Sequence, residues 1–293
     1  MFGAVEAGGT KINMAVGTSP TDLIASARIE TTTPEKTIVP ILEFFEGHRN
    51  QLRAFGVASF GPVRIDRTAD DWGRLLTTPK PGWSGASFVQ PLMDSFGLPV
   101  ALDTDVNAAA LAEHLSGSLR GVTSGAYLTV GTGVGGGFIA DGVTIRGTLH
   151  PEIGHIRVLR SGPGDDDFPG CCPYHGDCLE GLASGPAIER RWGCSLSELP
   201  RGHVAHDLVA DYLGQACATL ALALSLGRIV IGGGVSHSPG IHSAVADRMR
   251  HWLGGYLTGP EVSGDQFIVP PVLGDGAGLI GAMLLAERAA LPE

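Results

Sequence analysis

Twice this chain runs from a strand-like apolar stretch through a glycine-dense turn into a second such stretch. Gly3 to Ala7 and Lys11 to Val16 flank Gly8-Gly9-Thr10, and Ala126 to Val130 and Phe138 to Ala140 flank Gly131-Thr-Gly-Val-Gly-Gly-Gly137. The strand, turn, strand order excludes the two common phosphate loops, which lead into a helix. Without Cβ atoms, backbone N–H groups can approach an anion closely, and Thr10 adds a hydroxyl donor. Each turn taken alone is equally the tip of a plain hairpin. A third glycine turn, Gly232-Gly233-Gly234, follows the strand expected over Arg228 to Ile231. Three such turns in two similarly begun lobes point to a nucleotide clamped between lobes.

The rest of the chain reads as α/β. A third strand is expected over Leu23 to Thr31, and a helix over Pro34 to His48 with Ile38, Ile41, Leu42 and Phe45 on one face. Strand Phe55 to Phe60, helix Ser87 to Phe96, strand Pro99 to Leu102 and an alanine-rich helix from Val106 to Leu115 complete a first lobe, residues 1–118. The second lobe, residues 119–275, includes a helix over Ala205 to Leu226 and another ending near Leu253; a last helix covers Gly276 to Ala289. The repeated opening suggests an old duplication.

At 293 residues the chain can bury a sizeable core. Its net charge of -10, with only 20 Lys and Arg spread along it, argues against a nucleic-acid surface. The segment from Met1 shows no basic region followed by an apolar stretch, so no secretory signal is expected. The apolar run from Ala216 to Leu226 falls short of the ~20 residues that span a membrane. The expected location is the cytosol.

Two constellations carry chemistry. Asp103-Thr104-Asp105-Val-Asn107 lies where a strand gives way to a helix, the place where open α/β sheets present ligand-contacting side chains. Helix capping would use one of these residues, which leaves a carboxylate for general-base work. Cys172-Pro-Tyr-His175-Gly-Asp-Cys178 sets three metal-ligating types within seven residues, and His155, in Glu152-Ile-Gly-His155, is near enough to be the fourth. A closed set of four implies a structural zinc. Five cysteines, three of them packed between Cys171 and Cys178 beside His175, do not read as a disulfide framework. Cys194 and Cys217 are expected in apolar helices as core residues.

Glu6-Ala-Gly-Gly-Thr-Lys11, Asp105-Val-Asn107, Gly131 to Gly137, Glu152 to His155, Cys172 to Glu180 and Ile231 to Val235 together resemble, in order, the ROK family of repressors and sugar kinases. The zinc loop and Thr78-Pro-Lys-Pro-Gly-Trp83 are most similar to its bacterial fructokinase branch. The resemblance implies a two-lobed, actin-like ATPase fold of the ribonuclease H type with its active site in the interlobe cleft, and a C-terminal helix, 276–293, that returns to the first lobe. It implies ATP and Mg²⁺ held by Gly8, Gly9, Thr10 and Lys11, by Gly131, Thr132, Gly133 and Gly135, and by Gly232, Gly233 and Gly234. Asp105 matches the family's base, with Thr104, Asn107, Glu152, His155 and Glu180 at the sugar. Zn²⁺ would be held by His155, Cys172, His175 and Cys178, with Cys171 as the competitor for Cys172. The metal would act on sugar affinity and leave the nucleotide turns untouched.

The implied activity is that of an ATP:D-fructose 6-phosphotransferase, a cytoplasmic homodimer. The alternatives are a broader hexose, mannose or N-acyl-hexosamine kinase and a sugar sensor without turnover. Glu6 and Thr104 stand where many family members have Asp and Asn, so the metal shell and one sugar hydrogen bond are not carried over unchanged. With the first phosphate turn at residue 8, the DNA-binding domain of the repressor members is not expected.

Overall fold

The computed structural model describes residues 1–160, 165, 168–259, 262 and 264–291. Its contacts divide the chain into two compact units, one of residues 1–112, 144–151 and 275–293 and the other of 113–143 and 152–274. Residues 113–118, 144–151 and 275 thus fall on the other side of the division expected from sequence.

The first unit is built on strands β1 (Phe2–Ala7), β2 (Lys11–Ser19) and β3 (Asp22–Glu30), helix α1 (Pro34–Glu46), strand β4 (Ala54–Ser59), helix α2 (Val89–Phe96), strand β5 (Val100–Thr104) and helix α3 (Asp105–Ser116). The sheet order is β3-β2-β1-β4-β5, with β1 antiparallel to β2 and parallel to β4. Period-two alternation decides what covers each face. Val5, Ile12, Met14, Phe55 and Val57 point to one side and pack with Ile41, Phe45, Val89 and Leu92 of α1 and α2. Ala4, Ala15 and Ala58 point to the other, against Ala108 and Leu111 of α3 and Ala282, Met283 and Leu285 of the last helix.

The small side chains on that second face allow close approach. A Cβ at Gly56 would stand 1.9 Å from Ala282 O and 2.5 Å from Ala286 N, and one at Gly281 would stand 2.1 Å from Ala108 O. Between β4 and α2, residues 60–88 form no strand longer than an isolated bridge, and Trp83 anchors them.

The second unit holds strands β6 (Ser124–Val130), β7 (Val134–Ala140) and β8 (Val143–Thr144), helices α4 (Leu179–Ala183), α5 (Gly185–Trp192) and α6 (Val204–Leu224), strand β9 (Ile229–Gly232), helix α7 (Ile241–Leu253) and strand β10 (Ile268–Val269); helix α8 (Ala277–Ala289) closes the chain and belongs to the first unit. This sheet runs β10-β9-β6-β7-β8, so strand for strand in chain order it repeats the arrangement of the first.

Three sequence expectations change here. The turn between β6 and β7 is only Gly131 to Gly133, because Gly135, Gly136 and Gly137 pair in β7 with Thr129, Leu128 and Tyr127. Those strand glycines make room, since a Cβ at Gly136 would meet Ile153 at 2.6 Å. Cys217 is buried in α6 as expected, but Cys194 follows the left-handed Gly193 that ends α5 and is half-exposed. Helix α6 is itself 21 residues long and apolar enough to cross a membrane by length and composition, yet two-thirds of its most apolar window is buried within the protein. Its apolar faces are core contacts.

Candidate active site and metal centre

In the first unit the hairpin from β1 to β2 turns at Gly8-Gly9-Thr10, closed by Gly8 N–H on Lys11 O at 2.9 Å. Thr31 engages two of the turn's carbonyls, its hydroxyl donating to Gly8 O at 2.8 Å and its N–H to Thr10 O at 3.0 Å. What the turn offers a ligand is N–H donors and the exposed Thr10 hydroxyl. Glu6, one strand position before, accepts from Asn13 Nδ2 at 2.7 Å, and Asn13 Oδ1 accepts from Arg28 Nε at 2.8 Å. Burial raises the Glu6 pKa above the ordinary carboxylate value. The extra methylene relative to Asp thus carries this carboxylate into a protein-made hydrogen bond.

The three polar residues where β5 meets α3 have separate tasks. Asp103 is fully buried; its Oδ1 accepts from Thr104 N at 2.9 Å and Asn107 Nδ2 at 2.8 Å, and its Oδ2 from Thr144 Oγ1 and Arg146 Nη2, each at 3.0 Å. Thr104 Oγ1 accepts from Asn107 N at 3.1 Å, so the threonine serves as the helix cap. Asp105 remains half-exposed, one oxygen accepting from Val106 N at 2.9 Å. The spacing of polar residues in the sequence marks the cluster, but nothing local identifies Thr144 and Arg146 as its braces, because they arrive from about forty residues further on.

In the second unit two glycine turns converge. Gly131 N–H closes its turn on Gly133 O at 2.9 Å, and Gly131 O accepts from Gly185 N at 2.7 Å. Gly233 has φ +87°, and a Cβ there would stand 2.5 Å from Val130 O; one at Gly131 would come within 3.9 Å of Gly234 N. At Gly233 only glycine permits this approach. Gly232 is the last residue of β9, and Thr132 lies at the tip of the first turn.

Glu180, on α4, joins this turn to the next group of residues. Its Oε2 accepts from Val134 N at 3.0 Å and fills the place where a Gly133 Cβ would be, 2.6 Å away. Glu152 retains accessible surface, yet its carboxylate is crowded by protein atoms and faces the charge of Glu180. Desolvation first, and Glu180 second, push its pKa up to about 7.

His155, Cys172, His175 and Cys178 bring one ligand atom each within 4.8 Å of one another. His155 Nδ1 is 3.7 Å from Cys172 Sγ and 3.6 Å from Cys178 Sγ, and His175 Nδ1 is 3.7 Å from Cys172 Sγ. Ligand bonds of ~2.3 Å to sulfur and ~2.05 Å to nitrogen place the corners of a tetrahedron about 3.4–3.8 Å apart, so these atoms fit a metal such as zinc. Cys171 faces the other way, its Sγ 4.0 Å from Ser184 Oγ. The cluster is shaped by two backbone features. A turn over Ile153–His155 lies so close on β7 that a Gly154 Cβ would meet Val134 O at 2.0 Å, and the loop 172–176 closes on itself through Cys172 and Gly176 at 3.1 and 2.9 Å.

Cys178 caps α4, which carries Glu180 two residues later. The Cys and His cluster and the turn at Gly133 are thus joined through α4, with Cys178 at its N-cap and Glu180 on Val134 N.

The sequence profile of the ROK family matches residues 2–289. The chain belongs to the ROK family. It is 44% identical over 295 residues, 99% of this chain and 97% of the relative, to a fructokinase of Zymomonas mobilis. To a fructokinase of Pediococcus pentosaceus it is 38% identical, with 99% and 98% of the two chains covered. Among solved structures it is similar to the ROK hexokinase of Thermus thermophilus, with a TM-score of 0.78, 30% identity and 98% of each chain covered. It is also similar to a ROK family glucokinase from Streptomyces griseus in complex with glucose and AMPPNP, with a TM-score of 0.76, 25% identity and 98% and 99% coverage. The fold is the two-sheet, two-lobed α/β fold of the ROK hexokinases, an actin-like ATPase fold.

Proposed function

We propose that this ROK protein transfers the γ-phosphoryl group of MgATP to the 6-hydroxyl of D-fructose. The observation that supports phosphoryl transfer to a hydroxyl is the division of labour at the start of α3. Asp103 and Thr104 are committed to bracing and capping, and the half-exposed Asp105 carboxylate stands at the carboxyl end of a sheet strand. Fructose as acceptor rests on full-length likeness to two fructokinases.

In this reading Asp105 accepts the proton of the sugar hydroxyl as its bond to phosphorus forms, a contribution of ~10²–10⁴-fold. The N–H donors around Gly9, Thr10, Thr132 and Gly133 hold phosphate oxygens, with Gly232 to Gly234 near the nucleoside. Glu152 and Glu180 accept from sugar hydroxyls, and Asn107 is held beside them in role by Asp103. His155, Cys172, His175 and Cys178 would hold zinc, which supplies rigidity and no chemistry at phosphorus. The protein would act in the cytoplasm as a homodimer, and a solution mass twice 30.3 kDa is the expected result of sizing it.

ADP release across a panel of sugars tests the assignment. Fructose is expected to give the highest kcat/KM. A tenfold excess for glucose or mannose, about 1.4 kcal/mol in transition-state preference, favours the second reading, a broader hexose kinase like the Thermus relative. Sugar binding without ADP release from any of them would leave only a sensor.

A further inference from the structure

Lys80 stands on a mount far stiffer than a surface lysine requires. Pro79 and Pro81 flank it and restrict the backbone on either side. Its N–H donates to Thr78 Oγ1 at 3.4 Å, and its carbonyl accepts from Trp83 N at 3.2 Å. Trp83 pins this turn: it is 1% exposed, donates from Nε1 to Thr32 O at 2.6 Å, stacks on Phe88 at 4.7 Å and meets Phe60 edge-on at 5.5 Å.

From that platform the lysine stem reaches over the first glycine turn, with Cε 3.7 Å from where a Gly9 Cβ would be. Nζ lies 5.5 Å from the centre of the Phe60 ring. Desolvation alone moves the Lys80 pKa, downward, and no carboxylate among the described residues opposes it. Lys11, the cation that the sequence singles out, is different: it neighbours the Glu6 carboxylate and lowers that group's proton affinity. A half-buried ammonium on a rigid mount, beside N–H donors and without a counter-ion among the described residues, is arranged for an anion that arrives as ligand.

We propose that Lys80 holds the phosphoryl group in transit, its ammonium donating to a non-bridging oxygen of the ATP γ-phosphate above the Gly9-Thr10 turn. This rests on the phosphoryl-transfer reading given above. Lys80 moves no proton and forms no bond to phosphorus. As the bond from the β-γ bridging oxygen to phosphorus breaks and the sugar oxygen takes its place, the ammonium faces the oxygens that carry the group's charge. The glycine turn keeps the approach open, and Phe60 and the two prolines spare the side chain the ordering that a loose lysine would undergo on binding.

The test compares ADP and AMPPNP binding by titration calorimetry, and single-turnover transfer to fructose, in the full-length wild type and in Lys80→Met, Lys80→Gln and Lys80→Arg. The Met and Gln variants should bind AMPPNP about tenfold more weakly or worse, the size expected for one charge-assisted contact, with ADP affinity and fructose KM within about twofold of wild type. Their transfer rate should fall about 100-fold, as for loss of one charge-stabilising donor, and Arg should restore most of it. Equal effects on ADP and AMPPNP, or no effect on either, overturn the proposal. A rise in fructose KM with unchanged AMPPNP affinity also overturns it, by placing Lys80 at the sugar. If the wild type releases no ADP with any sugar, the kinase reading fails, and the difference between the two nucleotide affinities still decides whether Lys80 meets the γ-phosphate.

Discussion

Asp105 and Asn107 share one turn of α3 and meet opposite conditions, one half-exposed, the other fully buried and tied to Asp103. Asp105→Asn keeps shape and hydrogen bonding but accepts no proton, so single-turnover phosphorylation of fructose should fall at least ~100-fold while nucleotide and sugar still bind. Retention of a tenth of the rate would remove Asp105 from the base's role. Glu152 makes a pH prediction. Its folded-state pKa of about 7 lies above the ordinary 4.5, so whatever stability its neutral form contributes is fully present below about pH 4.5 and lost once pH has risen through 7. Glu152→Gln should therefore gain in Tm relative to wild type between pH 5 and 7.5 and hold that gain above, and fructose affinity should lose its inflection near neutrality. A constant Tm difference over that range would show that Glu152 ionises normally. The polar run at the start of α3 and the Cys and His cluster could be located in the sequence because most of their spacing is local. Asp103's braces and the bond from Glu180 to Val134 could not, since each joins residues about forty or more positions apart.

Side-chain size, alternating along β1, β2 and β4, sorts the two faces of the first sheet, and the helices follow from it. The face of Ala4, Ala15, Gly56 and Ala58 is flat enough for α8 to lie against backbone. Gly56→Ala sets a methyl against Ala282 O and Ala286 N, which no rotamer can relieve, and should cost about 3 kcal/mol or more, measured as a fall in denaturant midpoint at unchanged slope. At the metal loop the elements decide between adjacent cysteines. Cys172→Ser should abolish stoichiometric zinc, whereas Cys171→Ser, which alters a thiol beside Ser184, should keep it; metal analysis of both purified variants gives the answer. The hairpins and helices were readable from period and capping. The glycines of β7 misled because a glycine run reads as a turn, and here three of them are strand residues making way for neighbours.

Across the whole molecule, metal and ligand effects are expected to be regional. The cluster's free energy of binding metal is also folding free energy for the loops it ties. Chelation should lower Tm and raise hydrogen exchange first in residues 170–182 and at Val134, with strands β1, β4 and β5 still protected. Equal loss of protection in both units would mean that the centre governs the whole fold. The likeness of the two sheets was visible in sequence as a repeated opening, but which stretches join which unit was not, because 144–151 and 275–293 come to the first unit by distant contacts.

That last membership sets a birth order. A ribosome delivers β1 to β5 and α3 well before the second helix that covers their alanine face, Ala277 to Ala289. At ~5–20 residues per second, the nascent sheet waits on the order of ten seconds or more after β5 with that side covered by α3 alone. The second unit, made before residues 275–293, can be complete before the first. A chain halted just short of residue 275 would hold everything needed for the second unit and would leave the α8 side of the first unit's alanine face open to chaperone or protease.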